Sequence, residues 1–193
     1  YIRNSVKVVV DAYEGDVQFY VIDSDDSMLK MYRRAFPSLF KDMAEMPPDL
    51  QDHIRYPIGI FAAQSRMYLR YHVTDPKVFF NQSEQWATPL ETRFGKRGVR
   101  MTPSYLVLQN PGEEKEEFVL MLPFTPAGEN KNNLVGWLVA RNDFPNYGQL
   151  ISFQVPGDPQ IDGPSQVEAR IENDQRISQQ FTLWGQVGSQ VLR

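Results

Sequence analysis

The chain has 193 residues, 41% apolar and 23% charged, with a net charge of −4 and no cysteine. That composition suits a single globular domain over residues 1–193, and a chain this long buries roughly 70% of its unfolded surface without a staple. The missing cysteines exclude disulfides and thiolate metal sites, and the acidic balance argues against a nucleic-acid partner.

Ser5–Ala12 is rich in β-branched residues, with Val6, Val8 and Val10 on one face, and Asp16–Ile22 alternates again through Val17, Phe19 and Val21. Gly15 supplies the turn between them, so a hairpin is predicted. Behind the acidic cluster Asp23, Asp25 and Asp26, the residues Met28, Leu29, Tyr32, Ala35 and Phe36 fall at helical spacing, with Asp25 as N-cap and Pro37 as stop. Pro47 and Pro48 open a short helical turn. Pro57 opens the longest helix, Ile58 to His72. One stripe holds Phe61, Ser65, Tyr68 and His72 and another Ile60, Met67 and Tyr71, the pattern of a helix covered on most sides. Asp75 followed by Pro76 starts a further short helix.

Residues 87–103 read as irregular. Four strands follow, Tyr105–Gln109, Phe118–Leu122, Leu134–Arg141 and Gln149–Val155, as an antiparallel meander; residues 110–117 join the first two as a turn with a solvated charge run. Ser165 and Glu168 have the spacing of a capping box. Asn173 and Asp174 cap a second helix with the stripe Ile177, Phe181, Trp184 and Val187. Hairpin, helical segment, strand meander and C-terminal helices in that order make an α+β fold. No apolar run approaches the ~20 residues of a membrane-spanning helix.

Few constellations carry chemistry. Asp23, Asp25 and Asp26 lack the glycine and distal Glu of an EF-hand loop and read as carboxylates at a helix N-terminus. His53 and His72 sit in no metal-binding pattern, and there is no nucleophile elbow, dinucleotide fingerprint or phosphate loop. No catalytic residue, metal or cofactor is therefore predicted. The basic run Arg93, Lys96, Arg97 and Arg100 is the candidate anion-binding site, suited to phosphate, a lipid headgroup or an anionic glycan; its alternative is a solvated loop. Asn81 opens a glycosylation sequon with Ser83. Tyr68, Tyr71, Phe79, Phe80 and Trp86 read as packing, not as a sugar platform.

Several stretches recur together: Tyr1–Lys7, Asp11–Tyr13 with Gly15 and Phe19–Tyr20, Arg55–Pro57, Tyr71–Pro76 with Phe79 and Asn81, Leu122–Pro126, and Gly163 through Trp184. In this order the chain resembles a large family of bacterial and cyanobacterial integral membrane proteins, uncharacterised protein family 0182, over essentially its whole length. The resemblance implies a parent several times longer, with membrane helices upstream and this piece in a soluble portion outside the cytoplasm. The transmembrane portion of the same polypeptide would be its first partner, an envelope ligand or a protein its second. The resemblance carries no activity or catalytic residue. A non-catalytic binding or structural module of a cell-membrane protein is the expectation. The alternative is an enzyme domain acting on an envelope glycan or lipid-linked substrate, whose mark would be two facing carboxyl groups, one of raised pKa.

Overall fold

A computed structural model describes residues 2–93, 96–128 and 131–186. The architecture is α+β, and the chain separates into two compact units, Tyr1–Ile60 and Phe61–Arg193.

The first unit is built on the predicted hairpin. Strands β1 (Val6–Val10) and β2 (Val17–Val21) pair antiparallel, Val6 opposite Val21 and Val10 opposite Val17. Asp11 organises the turn: its carboxylate accepts from the Tyr13 and Glu14 amides at 2.7 and 3.0 Å, and Gly15 takes φ +77°. Helix α1 (Ser27–Ala35) then carries the chain over to β3 (Phe40–Asp42), which lies parallel to β2. A parallel neighbour requires such a crossover. The cap of α1 is Asp26, one residue later than expected. Its Oδ1 accepts from the Met28 and Leu29 amides at 2.8 and 3.0 Å, and the helix ends before Pro37 as predicted. A 3-10 turn (Met43–Glu45) and the short helix α2 (Pro48–Gln51) follow. Among the described residues of this unit Tyr20, Val21, Leu29, Met46, Ile54 and Tyr56 are the buried apolar ones, and Ser5 is buried with them.

The second unit takes in most of α3 (Ile58–Tyr71) and is centred on β8 (Glu116–Pro126). Strands β7 (Ser104–Gln109), β8, β9 (Gly136–Arg141) and β10 (Leu150–Gln154) form the predicted antiparallel meander. The strand β4 (Trp86–Ala87) also pairs with β8, opposite Pro126 and Thr125. Phe118 and Phe124 accept from the Asn142 and Val135 amides of the β9 side, so odd residues of β8 turn their backbone towards β7 and β4. Pro123 falls between the last β7 pair, at Met121, and the first β4 pair, at Thr125. A proline is tolerated inside this central strand because its missing N–H faces the gap. Val119, Leu120, Phe124, Val139 and Ala140 are fully buried. Gly136 is required where it stands: a Cβ there would meet the Phe153 carbonyl oxygen at 2.4 Å.

Helix α3 buries Phe61 and Ser65, and Tyr68 reaches the sheet, so the first predicted stripe is the packed one. Met67 and Tyr71 of the second stripe stay exposed. The expectation of a helix covered on most sides is corrected: only its Phe61–Ser65 side is buried. Asp75 caps α4 (Pro76–Asn81) as predicted. The stretch 87–103 is not irregular. It holds β5 (Leu90–Arg93) and β6 (Lys96–Arg100), a separate two-stranded ribbon whose charged, short strands give no alternation to read. Helix α5 (Pro164–Asn173) packs on β5 and on α6 (Gln175–Gln186). Its start also moves, because Pro164 is pre-set for the first helical position. Gln166 Oε1, not Glu168, closes back on the Gly163 amide at 2.9 Å. Asp174 caps α6 through the Arg176 and Ile177 amides, as expected. The side chains of Phe181 and Trp184, and Val187 altogether, lie outside the described residues. Among the described residues no helix is long and apolar enough to cross a membrane.

Candidate functional site

The alternation of the N-terminal strands gathers Val6, Val8 and Val10 with Val17, Phe19 and Val21 on one sheet face, and the parallel register sets Phe40 beside Phe19. The two rings meet edge to face at 6.0 Å. Helix α1 presents Met28, Leu29 and Tyr32 to this face but closes down fully only at Leu29. A groove of about 400 Å³ remains, lined by Val6, Val8, Phe19, Met28, Tyr32 and Phe40. Its apolar side chains stay substantially in solvent: Val8 is 52%, Tyr32 47% and Met28 43% exposed.

One end of the groove is polar and built around Asp26. Besides capping α1, Asp26 Oδ2 accepts from Arg3 Nη1 at 2.6 Å and from Ser5 Oγ at 2.7 Å. The Ser5 hydroxyl, the Leu29 amide, the Arg3 guanidinium and the Met28 amide, in that order, hold the Asp26 carboxyl well below the usual carboxylate range. Such a carboxylate stays ionised and saturated with donors; it has no proton to give and little basicity to use. The groove can enclose an apolar group beside a fixed ion pair.

The other acidic residues of the cluster are turned elsewhere. Asp23 accepts from the Asp25 amide, and Asp25 pairs with Lys30 at 2.9 Å. The reading of these carboxylates as belonging to a helix N-terminus holds for Asp26. Among the described residues no group of three His, Asp or Glu side chains is placed to hold a metal ion. His53 Nδ1 lies 2.6 Å from the Asp49 carbonyl oxygen. His72 lies between two carbonyls, Nδ1 3.0 Å from that of Tyr68 and Nε2 3.1 Å from that of Glu84, and its ring stacks on Trp86 at 3.7 Å.

The aromatic set splits. Tyr68 and Trp86 pack with Phe124, and the Tyr68 hydroxyl donates to Ser152 Oγ at 2.6 Å. Tyr71 lies on Phe79, which Arg70 also covers. Phe80 departs from the packing expectation, at 87% exposed. It sits on α4 near its C-terminal end, beside Asn81, which is itself exposed. Of the basic run, Arg93 stands opposite Lys96 in the β5–β6 register, and Arg100 opposite Leu90 is exposed. The side chains of Arg93, Lys96 and Arg97 lie outside the described residues.

One polar network escaped the sequence entirely. Glu117, read as part of a solvated run, is held by Arg141 of β9 through Nε at 3.1 Å and through Nη2. Glu113 adds an ion pair at 3.2 Å and Asn110 Nδ2 donates to Glu117 Oε2 at 3.1 Å. Hydrogen bonding to Glu117, against the opposing effect of burial, raises the Arg141 pKa. The two carboxylates converge on a buried cation, not across a cleft, so this is a clamp on the end of the sheet.

Val6, Val8, Phe19, Met28 and Tyr32 were legible as apolar faces; what was missing was Phe40 of β3 and the distance at which α1 lands on the sheet. No solved structure matches the chain. It is 51% identical over all of its length to a UPF0182 protein of Pelotomaculum thermopropionicum, 48% to one of Methanospirillum hungatei and 48% to one of Microcystis aeruginosa. It spans only 21%, 21% and 20% of the lengths of those three proteins. Residues 1–184 match the family, and the chain belongs to the Uncharacterised protein family (UPF0182).

Proposed function

We propose that this chain is a non-catalytic binding module of a longer protein, and that the groove between α1 and the N-terminal sheet takes the apolar part of an amphiphilic ligand. The observation that carries the reading is a groove of about 400 Å³ lined by exposed aliphatic and aromatic side chains, with the Arg3–Asp26 pair at one end. That volume falls in the range of small-molecule sites, which are mainly apolar with a few fixed polar groups. The relatives are about five times as long as the matched segment, which accords with a module serving a larger polypeptide. The resemblance supports a setting outside the cytoplasm, with the membrane portion of the same chain as partner. The basic run of the β5–β6 ribbon, Arg93, Lys96, Arg97 and Arg100, of which Arg100 is exposed, is proposed as an auxiliary surface for an anionic headgroup.

The test is a thermal-shift panel of fatty acids, alkyl glycosides and envelope sugars, run on the native chain and on Tyr32→Ser. An alkyl ligand at 100 times its Kd adds ~2.7 kcal/mol, roughly 5–10 °C for a chain of this size. The expected outcome is a rise with alkyl ligands that Tyr32→Ser removes. Sugars that stabilise both proteins while alkyl chains stabilise neither would overturn it.

A further inference from the structure

Strand β1 is the outer strand of the N-terminal sheet, whose order is β1-β2-β3. The Asp11 amide donates to the Asp16 carbonyl, and the Ser5 carbonyl accepts from the Ile22 amide, both at 2.9 Å. Odd residues of β1 therefore turn their backbone to β2, and Val6, Val8 and Val10 turn theirs outward. Among the described residues, no backbone partner meets those outward groups. Natural edges are guarded by charge, proline or a bulge. This one reads Val-Lys-Val-Val-Val, is regular in register, and leaves Val8 and Val10 52% and 61% exposed. Its lysine does not guard it, because Lys7 Nζ donates to the Arg55 carbonyl at 3.0 Å on the other face.

We propose that β1 is a homotypic docking edge: two copies of the chain pair β1 to β1 antiparallel about a two-fold axis through Val8, joining two three-stranded sheets into one. The pattern fits itself in this register. Val8 faces the partner's Val8, Val6 faces the partner's Val10, and Lys7 faces the partner's Val9, so all five strand residues are paired. In this register the partner's Asp11 lies diagonal to Lys7, so the charges set near one another are opposite in sign. Moving the axis to Lys7 would oppose Lys7 to the partner's Lys7, which is unfavourable. A self-complementary edge of this kind closes as a two-fold dimer and leaves no further edge of the same type to propagate from.

The experiment is sedimentation velocity of the native 193-residue chain over a concentration series, alongside Val10→Lys and Val10→Thr. Val10 does not line the groove, so alkyl-ligand binding by Val10→Lys reads the groove separately from the edge. The native chain and Val10→Thr are expected to dimerise, and Val10→Lys to weaken dimerisation by at least about tenfold. A native chain that stays monomeric throughout, one that runs on to larger assemblies, or a Val10→Lys dimer of native strength would overturn the proposal. Amide exchange of the native chain needs no variant. The Val6, Val8 and Val10 amides should slow as concentration rises, and exchange independent of concentration would count against the pairing.

Discussion

The two units handle the same problem, a twisted sheet with apolar side chains, in opposite ways. The C-terminal sheet is sealed at its centre, on β8 and β9, while Val107 of β7 and Leu150 of β10 stay in solvent. Val119, Leu120, Phe124, Val139 and Ala140 have no solvent exposure, and the polar end of β8 is clamped by Arg141 on Glu117 and Glu113. The N-terminal sheet is left open. Val8, Val10 and Val17 remain about half exposed, and α1 covers the sheet without filling the space beneath it. Burial of that apolar surface is stabilising at about 25 cal/mol per Å² wherever something can cover it. The sealed centre has gained that energy in folding; on the open sheet the same apolar surface is left uncovered.

Breaking the sealed side should therefore cost folding. Phe124→Ala removes a fully buried ring that touches Tyr68 and Trp86, and an expected loss of about 3–5 kcal/mol would appear in a urea melt. Glu117→Ala strips a buried guanidinium of its main partner. A loss of about 2–3 kcal/mol is expected, largely recovered in Glu117→Ala/Arg141→Met, where no orphaned charge remains. The double variant melting no higher than the single one would contradict the clamp.

On the open side the effects are smaller and differently signed. Asp26→Asn should lower the melting temperature at neutral pH by roughly 5 °C, through loss of the negative charge that Arg3, Ser5 and the N-terminus of α1 hold. The pH dependence follows from the sign of the shift. A carboxyl whose folded pKa is depressed contributes stability that is present above the ordinary carboxylate range and is lost as the pH falls through the folded value. The native chain should lose stability progressively below about pH 4, and Asp26→Asn should lose less of it over the same interval. Equal acid slopes would remove Asp26 from that role. Tyr32→Ser should shift stability by no more than about 0.5 kcal/mol, as an exposed substitution does, while abolishing alkyl-ligand binding.

Much of this comparison was legible in the residues, and the remainder was not for physical reasons. The hairpin and the meander follow from alternation, and the buried stripe of α3 from helical spacing, because each pattern is local. The three-residue β3 was invisible: its partner β2 is reached only through α1, and nothing in Phe40–Asp42 marks a strand. The ribbon β5–β6 escaped because its strands are charged and short. The cap of α1 moved from Asp25 to Asp26 because three carboxylates satisfy the local rule, and Arg3 and Ser5, more than twenty positions upstream, choose among them. Glu117 and Arg141 stand 24 positions apart and meet across β8 and β9; only the register brings them together. The groove is a difference between two surfaces, so the residues that β1, β2 and α1 bring to it were readable while Phe40 and the space between them were not.

An amide-resolved NMR titration of the native chain with a medium-chain fatty acid tests the binding reading most directly. Saturable shifts confined to Val6, Val8, Phe19, Met28, Tyr32 and their neighbours are predicted, with the amides of β8 and β9 unmoved. No saturable shift in the N-terminal unit, or shifts centred on the C-terminal sheet, would contradict it.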